Sequence, residues 1–130
     1  MARSRTLVLV VEDELLVRED ALDLLRRAGI RARGFSSAEE TLGFLRDHAD
    51  ETAVVFTDMW LESATEGLDL AATINGTWPW IALLVTSGAT ARPPTGLPAK
   101  AQYVCKPWRP EQVLRLIQKS VASDRTSRAA

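Results

Sequence analysis

The chain is organised around residues 53–58, AVVFTD, a short and mostly apolar run that stops abruptly at the carboxylate of Asp58. β-Branched and aromatic side chains dominate this run, which is typical of a buried strand. An Asp after such a strand is usually a turn residue that opens the next loop. It can also belong to a site, because ligands of parallel sheets bind beyond the carboxyl ends of the strands. Taken alone, Asp58 favours the turn interpretation.

Two further apolar runs end at charged residues. Residues 7–11 lead into residues 12–14, EDE, and residues 103–105 lead into Lys106. Because the carboxyl ends of parallel strands lie along one edge of a sheet, these charges are expected to meet Asp58 there. Several carboxylates and one ammonium at such an edge indicate a functional site rather than a set of unrelated turn residues.

Amphipathic helices alternate with the strands. Apolar residues recur at helical spacing over residues 15–28, after a cap at Ser36 or Ser37, over residues 67–74 and over residues 111–121. In the first of these helices Arg18 falls on the polar side. Further strands are predicted at residues 30–35, 80–85 and 101–105. This alternation predicts an α/β fold, a doubly wound parallel sheet of five strands with helices on both faces.

The segment between the last two strands departs from the pattern. Residues 89–99 contain Pro93, Pro94, Gly96 and Pro98. Proline removes a backbone donor and clashes with the preceding turn of a helix. The helix expected here, the fourth of the alternation, is therefore predicted to be short, displaced or absent.

Size and charge exclude several classes of protein. The 130 residues, 46% of them hydrophobic, suffice for one packed domain, which we place at residues 1–122, with a flexible tail at 123–130. A net charge of −1 provides no overall field for nucleic acid. No apolar stretch approaches the roughly 20 residues of a membrane span. With one cysteine, Cys105, no internal disulfide can form, so we expect a reduced, cytoplasmic protein without direct nucleic-acid binding or membrane insertion.

The charged strand ends belong to a longer series of motifs that resembles the receiver domain of two-component response regulators, in its stand-alone, chemotaxis-type form. The resemblance spans nearly the whole chain, and its marks are Glu12-Asp13, Asp58, Gly67, Thr86-Ser87-Gly88 and Lys106-Pro107. It implies a flavodoxin-like sheet with the strand order 2-1-3-4-5. It also implies a phosphoacceptor rather than an enzyme: Asp58 accepts a phosphoryl group from a histidine kinase or a phosphotransfer protein, and the product switches binding to a downstream protein effector.

The resemblance assigns a magnesium site to the acidic residues. It implies that Asp13 and Asp58 bind Mg²⁺ directly with the backbone carbonyl of Trp60, while Glu12 acts through water. Three close carboxylates repel one another, and a hard divalent cation with oxygen ligands relieves that repulsion. The alternative for Glu12, Asp13 and Glu14 is acidic capping at the start of the first helix, and it fits Glu14 best.

Lys106, Thr86 and Tyr103 also have roles in the resemblance. Lys106, joined to Pro107 by a cis peptide bond, would direct its ammonium at the phosphoryl oxygens. Thr86 would be the switch residue that donates a hydrogen bond to the phosphate, and Tyr103 the aromatic residue that swings inward afterwards. Each has a plainer alternative: an exposed turn for Lys106, a strand-end hydroxyl for Thr86 and a half-buried edge residue for Tyr103.

Two of the four tryptophans bear on this site, and a third is expected elsewhere. Trp80 is predicted to lie in the core, whereas Trp60 and Trp108 flank the site and are candidates for a docking patch. The loop that carries Trp60 lacks the proline that most receivers have shortly after the phosphorylated Asp. This departure leaves the lifetime of a phosphorylated state open.

Two other functions stay open at this stage. The chain could be a receiver-like module that binds partners without being phosphorylated. It could also be a Mg²⁺-dependent phosphatase with Asp58 as nucleophile, although such enzymes of the haloacid dehalogenase type place a second Asp where this chain has Trp60. A dimer that forms on phosphorylation is compatible with the receiver interpretation.

Overall fold

A computed structural model describes residues 5–59, 66–88 and 95–129, with residues 123–129 described by their backbone alone. Strands and helices alternate along the chain as β1 (Leu7–Val11), α1 (Leu15–Arg27), β2 (Ala32–Phe35), α2 (Ala38–His48), a short 3₁₀ helix (Ala49–Glu51), β3 (Thr52–Asp58), α3 (Glu66–Thr77), β4 (Ala82–Ser87), β5 (Gln102–Cys105) and α4 (Pro110–Ala129). All strand pairs are parallel, in the order β2-β1-β3-β4-β5. The predicted fold class and strand order are confirmed.

Alternate residues of the strands enter two separate cores. On β1, Val8 and Val10 face the side that α1 and α4 cover, whereas Leu9 and Val11 face the side that α2 and α3 cover. Side chains of a strand point to opposite faces in turn, so a strand buried on both faces must be apolar at every position. This explains the uninterrupted apolar sequence of β1, in which all five residues are buried.

Local signals set the helix ends. Ser37 rather than Ser36 caps α2, since the Ser37 side chain accepts a hydrogen bond of 3.2 Å from the backbone N–H of Glu40. After α1 the chain turns at Gly29, whose φ of +79° favours glycine. The last helix, α4, runs to Ala129 and is longer than the predicted 111–121, because neither proline nor glycine follows to stop it. The flexibility of residues 123–130 stays a prediction.

The connection between β4 and β5 contains no helix in its described part, which comprises Gly88 and residues 95–101. This agrees with the prediction that the helix expected here is short or disrupted. Residues 89–94, which include Pro93 and Pro94, lie outside the described residues. In the part of the chain that the structure describes, no helix combines the length and the apolar character that crossing a membrane requires.

The prediction that Trp80 lies in the core is wrong. Its side chain is 37% exposed at the amino end of β4. The indole Nε1–H donates to the carbonyl oxygen of Ala49 at 3.0 Å, and the guanidinium of Arg5 lies 4.7 Å from the ring centroid. An indole needs a partner for its N–H, and Trp80 finds one at the rim of the domain rather than inside it.

Candidate functional site

Three strand ends bring Glu12, Asp58 and Lys106 into direct contact. The Lys106 ammonium lies 2.8 Å from Glu12 Oε1 and 2.9 Å from Asp58 Oδ2. The side chains of Glu12 and Asp58 are 5% and 7% exposed, and that of Lys106 is 25% exposed. Because β1, β3 and β5 are parallel members of one sheet, their carboxyl ends share an edge and these charges meet at it.

Asp13 completes an acidic group with Glu12 and Asp58. Each residue offers a carboxylate oxygen, and these oxygens all lie within 4.8 Å of one another. In octahedral coordination a Mg²⁺ ion holds oxygens at about 2.0–2.1 Å, so opposite ligands stand about 4 Å apart. Glu12 and Asp58 are buried whereas Asp13 is exposed, so the group has an interior wall and an open side. These three residues fit a single hard divalent cation.

The charges at this edge act on each other. Burial raises the pKa of Glu12, and the negative charge of Asp58 adds to this, while the hydrogen bonds from Lys106 and from the backbone N–H of Glu14 oppose it. Burial alone would lower the pKa of Lys106, but hydrogen bonds and attraction to Glu12 and Asp58 outweigh it and raise that pKa. The lysine is therefore held as a cation between two carboxylates.

Thr86 lies beside Asp58, and its hydroxyl has no hydrogen-bond partner among the described residues. The two residues are register partners on β3 and β4, and both are buried. Among the described residues no group hydrogen-bonds to Thr86 Oγ1, although this atom is fully buried. A small cavity of about 10 Å³ is lined by Glu12, Asp58 and Thr86 together with apolar side chains that include Trp108. A buried hydroxyl without a partner costs roughly 1–3 kcal/mol, so Thr86 is poised to donate to a group that enters there.

Gly67 allows α3 to pack against the end of β3. A Cβ at this position would lie 2.6 Å from the backbone oxygen of Asp58 and closer still to the backbone of Met59. The Gly67 N–H donates to the Met59 carbonyl at 3.2 Å, and the Met59 N–H donates to the Thr86 carbonyl at 2.9 Å. Backbone atoms cannot move aside as a flexible side chain can, so any larger residue would displace the segment that follows Asp58.

The described contacts of the Tyr103 side chain are with Ser87 and Cys105. The Tyr103 side chain is half-buried and hydrogen-bonds to the side chain of Ser87, and its hydroxyl lies 3.9 Å from the Cys105 sulfur. Burial, aided by the Cys105 contact, raises the pKa of Tyr103. Trp60, the expected source of a backbone ligand, lies outside the described residues. The peptide bond between Lys106 and Pro107 is cis, as the resemblance implies.

Arg18 contacts the site, although its sequence position indicated only the polar side of a helix. Its Nη1 donates to the backbone oxygen of Glu12 at 2.8 Å, so the guanidinium lies behind the acidic group. Helical periodicity separates apolar from polar positions and carries no information on which arginine reaches back over a strand end. No local pattern in the sequence predicts this contact.

Comparisons with known proteins converge on one family. A family model described as "Response regulator receiver domain" matches residues 8–118. The chain is similar to a response regulator receiver protein from Sinorhizobium medicae (TM-score 0.82, 19% identity, 92% of this chain and 96% of that chain) and to one from Pseudomonas putida (TM-score 0.74, 28% identity, 90% and 98%). It is also similar to a receiver domain protein from Clostridium thermocellum (TM-score 0.79, 20% identity, 93% and 98%). No curated protein matches the chain.

Proposed function

Since this chain belongs to the response regulator receiver domain family, we propose that it accepts a phosphoryl group from a phosphohistidine onto Asp58 and thereby switches its binding to a protein partner. The family as a whole consists of phosphoacceptor signalling modules rather than typical enzymes. The observation that carries the proposal is the meeting of Asp58, Lys106 and two further carboxylates at one sheet edge.

Asp58 is the proposed nucleophile. One of its carboxylate oxygens attacks the phosphorus of the donor in line, forming a P–O bond while the P–N bond to the imidazole breaks. The electron pair of the broken bond stays on the imidazole nitrogen, and the product on Asp58 is an acyl phosphate. Lys106, which contacts Asp58 Oδ2, is placed to offset the charge of the transferred phosphoryl oxygens.

Glu12, Asp13 and Asp58 would hold the metal ion that this chemistry needs. Their oxygens suit Mg²⁺, as does the backbone carbonyl of Trp60 that the family resemblance implies. When bound, Mg²⁺ supplies positive charge that neutralises the phosphoryl oxygens. Lys106 already contacts Glu12 and Asp58, so it limits the repulsion between these two carboxylates before any cation binds.

Thr86 is the proposed switch residue. Its hydroxyl is buried beside Asp58, has no hydrogen-bond partner in the described part of the chain, and is available to donate to a phosphoryl oxygen. Movement of Thr86 would open space next to Ser87, the hydrogen-bond partner of Tyr103, and Tyr103 would then change its position. Phosphorylation would thus shift an existing balance between two arrangements of β4 and β5.

An exposed apolar patch beside the site suits a protein donor. Leu15 and Leu16 at the start of α1 are 57% and 73% exposed. The next residue, Val17, lines a groove of about 360 Å³ with Lys106, Pro107 and Trp108. Exposed apolar surface of this kind marks interaction sites, and its place beside Lys106 would bring a donor close to Asp58. We assign this patch to binding of the histidine kinase or phosphotransfer protein.

The proposal has three further parts. The phosphorylated protein binds a downstream effector, it can form a phosphorylation-dependent dimer, and its location is cytoplasmic.

Incubation with acetyl phosphate and Mg²⁺ tests the proposal directly. Intact-protein mass spectrometry should show one added phosphoryl group, which Asp58→Asn abolishes and Asp47→Asn, a change in the distant helix α2, retains. A label that persists in Asp58→Asn would overturn the assignment. Failure of the unchanged protein to accept any phosphoryl group would favour the module that binds partners without phosphorylation, and continuous turnover of the donor would favour a phosphatase.

The apolar patch is tested by comparing donors. Leu16→Ser should slow transfer from a phosphorylated donor protein and leave transfer from acetyl phosphate unchanged, because the small donor does not need the patch. Since Leu16 is 73% exposed, the substitution should not alter folding. Equal slowing with both donors would show that Leu16 acts through the site and not through docking.

A further inference from the structure

We propose that Arg18 is a positioning residue for the acidic pair Glu12 and Asp13, and that Gly34 provides the space in which Arg18 does so. The inference rests on the proposed magnesium-dependent function and adds a residue to it. It is based on hydrogen bonds to the backbone of Glu12 and on close contacts between α1 and β2. None of these contacts involves the side chain of Glu12, Asp13 or Asp58.

The backbone of Glu12 is held from two elements. Its N–H donates to the Phe35 carbonyl of β2 at 3.0 Å, and its C=O accepts from Arg18 Nη1 of α1 at 2.8 Å. The Glu12 C=O shares one rigid peptide plane with the N–H of Asp13. Fixing this carbonyl therefore fixes the plane from which the Glu12 and Asp13 side chains both branch. A rotation of this plane would turn the two carboxylates relative to Asp58.

Gly34 makes the path of Arg18 possible. It pairs with Val10 in the sheet, one strand away from the site. A Cβ at Gly34 would lie 3.1 Å from Arg18 Cδ, 3.2 Å from Arg18 Cγ and 2.8 Å from Leu22 Cδ1. The aliphatic part of Arg18 thus crosses β2 where the strand has no side chain, and its charged end reaches the Glu12 carbonyl.

The positive charge of Arg18 should lower the affinity of the site for Mg²⁺, whereas its positioning of the Glu12 peptide should raise that affinity. A guanidinium close to the acidic group repels Mg²⁺, so if charge were its main effect, removing Arg18 would strengthen Mg²⁺ binding. If Arg18 acts by orienting the peptide, removing it would weaken binding, because the carboxylates lose their shared geometry. The sign of the change in affinity distinguishes the two roles.

The same helix offers a matched control. Arg26 also lies on α1 and donates to a backbone carbonyl six residues away, that of Ala32, at 3.0 Å. This second contact joins α1 to the beginning of β2, at the opposite end of the strand from the site. Substituting Arg26 therefore removes a similar hydrogen bond and the same charge from the same helix without touching the acidic turn.

The test is a Mg²⁺ titration followed by tryptophan fluorescence, with thermal unfolding of every variant as a check on folding. Arg18→Met should raise the dissociation constant about three- to tenfold, the equivalent of one hydrogen bond. Arg18→Lys, which keeps a donor and the charge, should recover part of this loss. Arg26→Met should leave Mg²⁺ affinity unchanged even where it lowers the melting temperature as much as Arg18→Met does.

Gly34→Ala supplies a second test, and its effect in the otherwise unchanged protein does not depend on Arg18→Met folding. It should weaken Mg²⁺ binding in the unchanged background and add nothing to the loss in Arg18→Met, because its effect passes through Arg18. Unchanged or tighter Mg²⁺ binding in Arg18→Met, while the unchanged protein binds Mg²⁺, would overturn this inference alone. Absence of Mg²⁺ binding by the unchanged protein would overturn the proposed function with it.

Discussion

Two lysines at opposite ends of the sheet make similar contacts and differ in the charge of their partners. Lys106, after the carboxyl end of β5, contacts the carboxylates of Glu12 and Asp58 at 2.8 and 2.9 Å. Lys100, before the amino end of β5, donates to the backbone carbonyls of Pro79 and Ile81 at 2.6 and 2.7 Å. Each ammonium is therefore held by two oxygens from other parts of the chain.

The two pKa values move in opposite directions. Burial lowers the pKa of Lys100, since two neutral carbonyls do not offset the loss of water around its ammonium. Burial acts in the same direction on Lys106, but the carboxylates of Glu12 and Asp58 outweigh it and raise the pKa. The charge of the acceptors, and not the number of hydrogen bonds, decides whether a partly buried lysine favours its cationic form. Lys106 thus keeps a positive charge beside Asp58, whereas Lys100 joins the backbone segments at Pro79 and Ile81.

The difference between Lys106 and Lys100 should have its largest effect on the rate at which Asp58 is phosphorylated. Lys106→Met should slow the acetyl phosphate reaction of Asp58 about a hundredfold or more, because a charge aimed at the phosphoryl oxygens is lost. Lys100→Met should leave this rate unchanged, since its contacts are with Pro79 and Ile81. Stopped-flow tryptophan fluorescence with Mg²⁺ measures both. Similar slowing in the two variants would remove the functional distinction between the ends of the sheet.

Close packing at the sheet edge that carries Asp58 predicts a smaller effect, on the free energy of unfolding. Gly67→Ala should destabilise the protein by about 1–3 kcal/mol, because its Cβ meets the backbone of Asp58 and Met59. Gly43→Ala, in the interior of α2 with nothing within 4 Å of the new atom, should stabilise by about 0.5–1 kcal/mol. Urea unfolding at equilibrium measures both. Changes of the same sign would show that close packing does not distinguish the edge from the rest of the fold.

The smallest expected effect is on the pH dependence of stability, and it concerns Lys100. Its folded pKa lies below the ordinary 10.5, so the unfolded chain binds the proton more tightly. Below the folded pKa this difference destabilises the protein in full, and the destabilisation disappears as pH rises from the folded pKa to 10.5. Unfolding measured across this window should show a rise in stability that Lys100→Met lacks. An identical pH profile in the two proteins would contradict the role assigned to the carbonyl contacts.

Periodicity and the residues at strand ends were enough to predict the α/β fold class and the edge at which the charges meet, whereas the strand order came from the family resemblance. Each apolar run became a strand, and residues 12–14, Asp58 and Lys106 lie at the shared edge because parallel strands place all their carboxyl ends there. Errors occurred where a residue's environment depends on distant segments. Trp80 is apolar by type, yet it lies at the rim because the partner of its N–H is Ala49, far away in the sequence.

The amino-acid sequence by itself determined which segments form the buried strands and at which ends the charges collect, since both follow from hydrophobic burial and from the alternation of side chains along each strand. Only the tertiary structure decided which charges touch, that the Thr86 hydroxyl is buried without a partner among the described residues, and that Arg18 reaches the backbone of Glu12 across Gly34. These contacts are set by distances of a few ångströms between segments far apart in the chain, and no local pattern in the sequence contains those distances.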